Sequence, residues 1–170
     1  MSPADLPSVV AAPANRHYER LGGRPAVARL VAAFYRAMDE RADARVIRAM
    51  HDADLAPTRA VLVSYLSEWM GGPREYSAQR GAPMLRRRHH PFDIDTAARD
   101  AWMACMRQAL DETCEDADLK AQLDAAFLKI ADVIRNTEGA GERRPHPGKP
   151  RAVAPDTPPL PPVSSATGRP

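Results

Sequence analysis

Apolar residues recur every three or four positions through most of this chain, which is the spacing of amphipathic helices. After the Gly22-Gly23 turn, Pro25 suits the first position of a helix that the pattern extends over roughly 25–40. The apolar face of this helix consists of Val27, Leu30, Val31, Phe34, Tyr35 and Met38. Almost no segment alternates in the manner of a strand, so the pattern favours an all-α protein.

Prolines and glycines mark the ends of the middle helices. A short helix is predicted around Ala44–Met50, and Pro57 opens a longer one that Gly71-Gly72-Pro73 ends. One face of the longer helix carries Thr58, Leu62, Tyr65, Leu66 and Trp69.

A basic segment separates these helices from the last two. Pro83 and Pro91 limit any helix between them to about two turns. Asp95 or Thr96 then caps a long helix, and the final helix begins near Asp116–Asp118. Four substantial amphipathic helices and some short ones predict an all-α domain.

Both ends of the chain differ in composition from this helical part. Nine prolines fall in the last 32 residues, which predicts a disordered tail over 139–170, and residues 1–15 are predicted to be a flexible arm. The domain is therefore predicted over 16–138. No run reaches the roughly 18 apolar residues that span a bilayer, and the first residues lack the pattern of a secretory signal, so we expect a cytoplasmic protein.

The cysteines and the charge exclude other classes of site. Cys105 and Cys114 lie nine positions apart in one predicted helix, about 13 Å along its axis, so they are predicted to remain unpaired, buried thiols. Of the net charge of +2, residues 139–170 carry +3, which leaves 1–138 at −1. A near-neutral domain argues against a general nucleic-acid binder.

Several motifs in the middle of the chain resemble the group II truncated haemoglobins. The resemblance extends from about Tyr18 to Asn136 and includes the early Gly22-Gly23 and the Phe34-Tyr35 pair. The motifs follow one another in the family's order: Gly71-Gly72-Pro73, Tyr76, Gln79-Arg80-Gly81, Leu85-Arg86-x-Arg88-His89-x-Pro91-Phe92-x-Ile94 and Arg99-Asp100-x-Trp102-x-x-Cys105-Met106.

The resemblance implies a two-over-two helical sandwich around a b-type haem, with His89 as the proximal iron ligand. Taken alone, a histidine in a basic run would more often be a solvated residue. On a helix opening near Pro83, His89 shares a face with Leu85, whereas His90 follows Arg86 onto the other face.

By the same resemblance, Arg86 and Arg88 are expected to meet the haem propionates, because guanidinium pairs with carboxylate through two charge-assisted hydrogen bonds. Leu85, Phe92 and Met106 are expected to line the haem.

Distal residues are also implied by position. Tyr35, Trp102 and His51 would offer a hydroxyl, an indole N–H and a ring N–H to a bound ligand. Thr58 and Leu62 would complete the pocket. Without the motif, Tyr35 and Trp102 would ordinarily be core aromatics, and His51 is the weakest of the three assignments because Asp52 stands where relatives often have proline.

The function implied is binding of oxygen, and of nitric oxide or carbon monoxide, at ferrous haem, either for oxygen transport or for detoxification of nitric oxide or peroxide. Strong distal donors favour redox chemistry over transport. Such turnover implies a separate reductase, because the sequence has no Gly-x-Gly-x-x-Gly nucleotide motif. The alternative is a haem-based gas sensor or binding module that signals to a partner.

Overall fold

The computed structural model describes residues 15–137, which form helices and no strand. In chain order the helices are α1 (His17–Leu21), α2 (Gly23–Glu40), α3 (Arg45–Ala49), α4 (Ala56–Trp69), α5 (Glu75–Arg80), α6 (Leu85–His89), α7 (Thr96–Thr113) and α8 (Ala117–Ile134). A short 3₁₀ turn at Ala42–Ala44 precedes α3. The predicted all-α fold is confirmed, and the predicted arm and tail lie outside the described residues apart from Asn15.

Four long helices build the core in two pairs. α2 packs on α4, α7 packs on α8, and the contact between α2 and α7 joins the pairs. The face predicted for α2 is buried, with Val27 and Leu30 fully enclosed, and α8 contributes Leu119, Leu123 and Phe127 from the other side. Burial of these side chains is the main source of stability for the fold.

The helix boundaries follow the capping residues that the sequence shows. Asp95 Oδ1 accepts a hydrogen bond from the Ala98 N–H at 2.8 Å, and Asp116 Oδ1 accepts one from Leu119 at 2.9 Å. These two bonds begin α7 and α8, as predicted, by satisfying backbone donors that a helix start leaves free. The short helices α1 and α5 were not predicted, because five or six residues are too few to show a period.

The end of α4 is fixed by two glycines that tolerate a close backbone approach. Gly71 has φ of +94°, and a Cβ there would lie 1.9 Å from the Asn15 carbonyl oxygen. At Gly72 a Cβ would lie 2.7 Å from both the Ser67 carbonyl oxygen and the Tyr18 ring. Only glycine fits both positions, so this turn holds the start of the domain against α4.

The two cysteines are free and buried, as predicted, but they do not share a helix. Cys105 lies within α7, whereas Cys114 is the residue after the helix end and has an extended backbone. Burial raises the pKa of the Cys105 thiol to about 11, so that thiol stays protonated at neutral pH.

Among residues 15–137, no helix combines the length and the apolar character that crossing a membrane requires.

Candidate functional site

His89 is the last residue of α6 and is half-buried. Its Nδ1 lies 2.7 Å from the carbonyl oxygen of Leu85, one turn earlier. A carbonyl can only accept, so the neutral ring carries its hydrogen on Nδ1 and holds a lone pair on Nε2. Histidines that bind metals are held in this way, because the second hydrogen bond fixes the tautomer and the orientation of the ring.

His90 is placed differently from its neighbour. It is exposed at the C-terminal end of α6 and borders a groove between that helix and the end of α8. The groove is lined by Arg86, Arg87, His90, Pro91, Ile134 and Asn136. The adjacent histidines therefore have different surroundings, as the helical register predicts.

The two arginines expected at the propionates are both exposed but are not on one side of α6. Arg86 borders the groove with His90, whereas Arg88 donates from Nε to the Pro83 carbonyl at 3.0 Å. Neither forms an ion pair with a described residue, so both guanidinium groups have donors available for an anion.

The apolar surface of α4 is only partly covered. α4 packs on α2 and α5, α6 packs on α8, and the structure shows no substantial packing between α4 and α6 in the described part of the chain. Leu62, Val63, Tyr65 and Trp69 of α4 remain half-buried against the core, and Phe92 is 38% exposed. Half-covered apolar side chains of this kind are typical of a surface that a large apolar ligand covers.

Tyr35 is the most deeply buried of the predicted distal residues, with 2% of its surface exposed. Its ring contacts Phe34 and His51 at centroid distances of 5.0 and 5.8 Å, and the Arg59 guanidinium lies 5.8 Å from its centroid. Burial raises the pKa of Tyr35 to about 12, which keeps its hydroxyl a donor at physiological pH. Arg59 is a neighbour that no motif in the sequence indicated.

Trp102 lies on α7 and is half-buried. Its ring packs against Phe34 at 5.2 Å and Phe127 at 5.9 Å. Within residues 15–137, neither its indole N–H nor the Tyr35 hydroxyl has a hydrogen-bond partner. Ser67 Oγ is the one side-chain polar atom of these residues that is both fully enclosed and without a partner, so neither of the two donors is fully enclosed. Both donors therefore retain surface that a ligand can reach.

His51 lies near Tyr35, and a hydrogen bond to the backbone holds its ring. Its Nδ1 lies 2.8 Å from the Ile47 carbonyl oxygen, which places the hydrogen of the neutral ring on Nδ1. Nε2 of the neutral ring is then an acceptor, and only a protonated His51 could donate to a ligand from that atom.

The remaining predicted residues differ in how far they are covered. Thr58 and Leu62 on α4 are half-buried, as is Leu85, whose carbonyl holds the His89 ring. Met106 has 0% exposure and is enclosed by the core between α2 and α7. Its role beside the haem remains a prediction.

These features fit haem. A porphyrin supplies four nitrogen ligands to iron, so the protein needs to supply only one imidazole whose lone pair is directed at the metal. His89 would supply that imidazole, and the half-covered side chains of α4 would offer apolar surface to the porphyrin.

The buried hydroxyl of Tyr35 predicts a loss of stability at high pH. Its pKa is raised from an ordinary value of about 10, so its stabilisation is complete below pH 10 and is lost as the pH rises toward 12. We expect the free energy of unfolding to fall by up to about 2 kcal/mol relative to a Tyr35→Phe variant across this range. Denaturant titrations of both proteins between pH 8 and 12 measure the difference. If the difference in free energy of unfolding between the two proteins does not change with pH, the pKa of Tyr35 is not raised, since all other ionising groups are shared.

Comparisons with known proteins agree with this geometry. The family model for bacterial-like globins matches residues 16–136. The group 2 truncated haemoglobin YjbI of Bacillus subtilis is 32% identical over 125 residues, which cover 73% of this chain and 92% of that protein.

Solved structures with the same fold include two bacterial haemoglobins. A group II two-on-two haemoglobin from Agrobacterium tumefaciens is 37% identical with a TM-score of 0.70. The match covers 79% of this chain and 100% of that one. A cold-adapted truncated haemoglobin from Pseudoalteromonas haloplanktis TAC125 is 37% identical with a TM-score of 0.70, over 72% of this chain and 98% of that one.

Proposed function

Since this chain belongs to the bacterial-like globin family, and within it to the group II truncated haemoglobins with their two-on-two fold, we infer that it is a haem-binding globin. We propose that it binds a diatomic gas, chiefly oxygen, with His89 as the proximal iron ligand. The observation that carries this proposal is the bond from His89 Nδ1 to the Leu85 carbonyl, which leaves Nε2 with its lone pair.

When bound, haem supplies a ferrous iron whose open position takes oxygen, nitric oxide or carbon monoxide. The cofactor proposed is haem b, held without covalent attachment, because Cys105 and Cys114 are buried and the sequence has no Cys-x-x-Cys-His. Arg86 and Arg88 are proposed to pair with the propionates through guanidinium donors that no described carboxylate occupies.

On the distal side, the Tyr35 hydroxyl and the Trp102 N–H are proposed to donate to the ligand. Both lack partners in the described residues and keep accessible surface, and the raised pKa of Tyr35 keeps its proton in place. A hydrogen bond to a charged group is worth about 1.5–3 kcal/mol, and each 1.4 kcal/mol is about tenfold in an equilibrium. Two such bonds make oxygen release slow, which favours redox chemistry over oxygen transport.

The turnover that we propose is detoxification of nitric oxide, with peroxide as the other candidate substrate. Nitric oxide, oxygen and one electron combine to give nitrate, so the balance requires one electron for each nitric oxide consumed. That electron is proposed to come from a separate flavin- or nicotinamide-dependent reductase, because the sequence has no Gly-x-Gly-x-x-Gly motif. The proposed location is the cytoplasm, where the two free thiols stay reduced.

Three measurements on the purified protein test this function. Its absorption spectrum should show a globin-type haem, stopped-flow mixing should show slow oxygen release, and nitric oxide should be consumed with nitrate as product. With a chemical reductant supplying electrons, consumption should continue over several turnovers. Fast oxygen release without nitrate formation would instead identify an oxygen carrier, and a protein that takes up no haem would contradict the whole proposal.

A further inference from the structure

Asn136 follows the end of α8 and bonds back to the segment that carries His89. Its Nδ2 donates to the carbonyl oxygens of His89 at 3.2 Å and Phe92 at 2.9 Å. Its Oδ1 accepts from the Ile94 N–H at 2.9 Å, and its own N–H donates to the Ile94 carbonyl at 2.9 Å. One exposed side chain thus bonds to the last residue of α6 and to two residues of the loop between α6 and α7.

The helix that carries His89 has little else to hold it. α6 has five residues, none of them buried, and it packs mainly on α8. It begins after Met84, whose φ of +48° is unusual for a residue with a side chain. A helix this short is not stable by itself, so contacts from outside must fix its position.

Three hydrogen bonds meet at His89. The ring donates to the Leu85 carbonyl, while the His89 carbonyl accepts from the Phe92 N–H at 3.1 Å and from Asn136. The first bond sets the rotation of the ring about its own axis. The two bonds to the His89 carbonyl set the position of the end of α6 relative to α8. The position of the ring follows from it.

We propose that Asn136 is a positioning residue for the proximal imidazole, fixing through the His89 carbonyl the direction in which Nε2 meets the iron. The inference rests on the proposed role of His89 as iron ligand. Asparagine suits the position because the carboxamide offers two donors and an acceptor at once. Aspartate keeps the acceptor for Ile94 but has no donor for the two carbonyls, and alanine has neither.

The test uses the full-length haem protein with Asn136→Asp and Asn136→Ala. Asn15→Ala is the matched control, because Asn15 is also exposed and donates from Nδ2 to a backbone carbonyl, that of Trp69, at 2.8 Å. We expect both Asn136 variants to shift or broaden the iron–imidazole stretching band of the ferrous protein. We also expect haem transfer to an excess of apomyoglobin to become about tenfold faster, a change of about 1.4 kcal/mol. Asn15→Ala should leave the band and the transfer rate unchanged.

The thermal midpoint of each variant separates positioning from general stability. If the Asn136 variants lower the midpoint as Asn15→Ala does, but keep the wild-type band and transfer rate, Asn136 is structural only and the inference is overturned. His89→Gly tests the foundation separately. A band that persists in that variant without added imidazole would show that another residue binds the iron, and the proposed function would then fail together with this inference.

Discussion

Replacing His89 by alanine is expected to abolish stable haem binding or to leave a grossly altered absorption spectrum, whereas His90→Ala keeps a normal globin spectrum. The His89 Nδ1–H donates to the Leu85 carbonyl, which leaves the Nε2 lone pair free. The side chain is half-buried. His90 is exposed on the side of α6 that borders α8. Loss of the proposed protein ligand to the iron is expected to have the largest effect of any single substitution.

His90→Ala is the matched control, since it removes the same ring one position further along the chain. Imidazole added to the His89→Ala protein is expected to restore part of the spectrum, because the ring then occupies the space that the side chain left. If His90→Ala loses haem and His89→Ala retains it, the ligand is His90 and the helical register assigned to α6 is wrong by one residue.

Replacing Tyr35 by phenylalanine, or Trp102 by phenylalanine, is expected to speed oxygen dissociation by about tenfold, which corresponds to about 1.4 kcal/mol for each lost donor. The Tyr35 variant removes one oxygen atom from a buried ring, and the Trp102 variant removes the indole N–H while keeping an aromatic side chain. The double variant should differ from the sum of the single ones, since both donors would address one ligand and neighbouring sites are rarely additive.

Stopped-flow mixing of the oxygenated protein with carbon monoxide measures these rates. His51→Phe is the control variant. The neutral His51 ring already donates its one N–H to the Ile47 carbonyl, so this substitution removes no donor to the bound ligand. Near pH 8 we expect its rate to stay within about twofold of the wild type, well below the tenfold that 1.4 kcal/mol gives. Changes under twofold in both the Tyr35 and Trp102 variants would rule out the hydrogen-bonding account.

Much of the fold could be predicted because its signals are local. The period of Val27, Leu30 and Phe34 reports a buried helix face directly, and a cap such as Asp95 acts within one turn of its own position. The order of the motifs around His89 was enough to indicate the family. The register that separates His89 from His90 also follows from a helix one turn long, and so required no tertiary information.

Other features do not follow from helical spacing alone. Arg86 and Arg88 are two positions apart, but one borders the groove beside α8 while the other is tied to Pro83. Met106, which the resemblance implies to line the haem, is fully buried in the core, and helical spacing alone does not show this degree of burial. Cys114 continues the helical pattern, but its backbone is already extended because α7 ends one residue earlier.

By itself, the sequence determined the four long helices and the capped starts of α7 and α8, and it separated His89 from His90 by helical register, because each depends on residues within a few turns. Only the tertiary structure decided which donors are free to act. The Tyr35 hydroxyl has no hydrogen-bond partner within residues 15–137, so it remains available as a donor. The bonds from Asn136 to the His89 carbonyl span 47 positions of sequence, and no local pattern encodes such a contact.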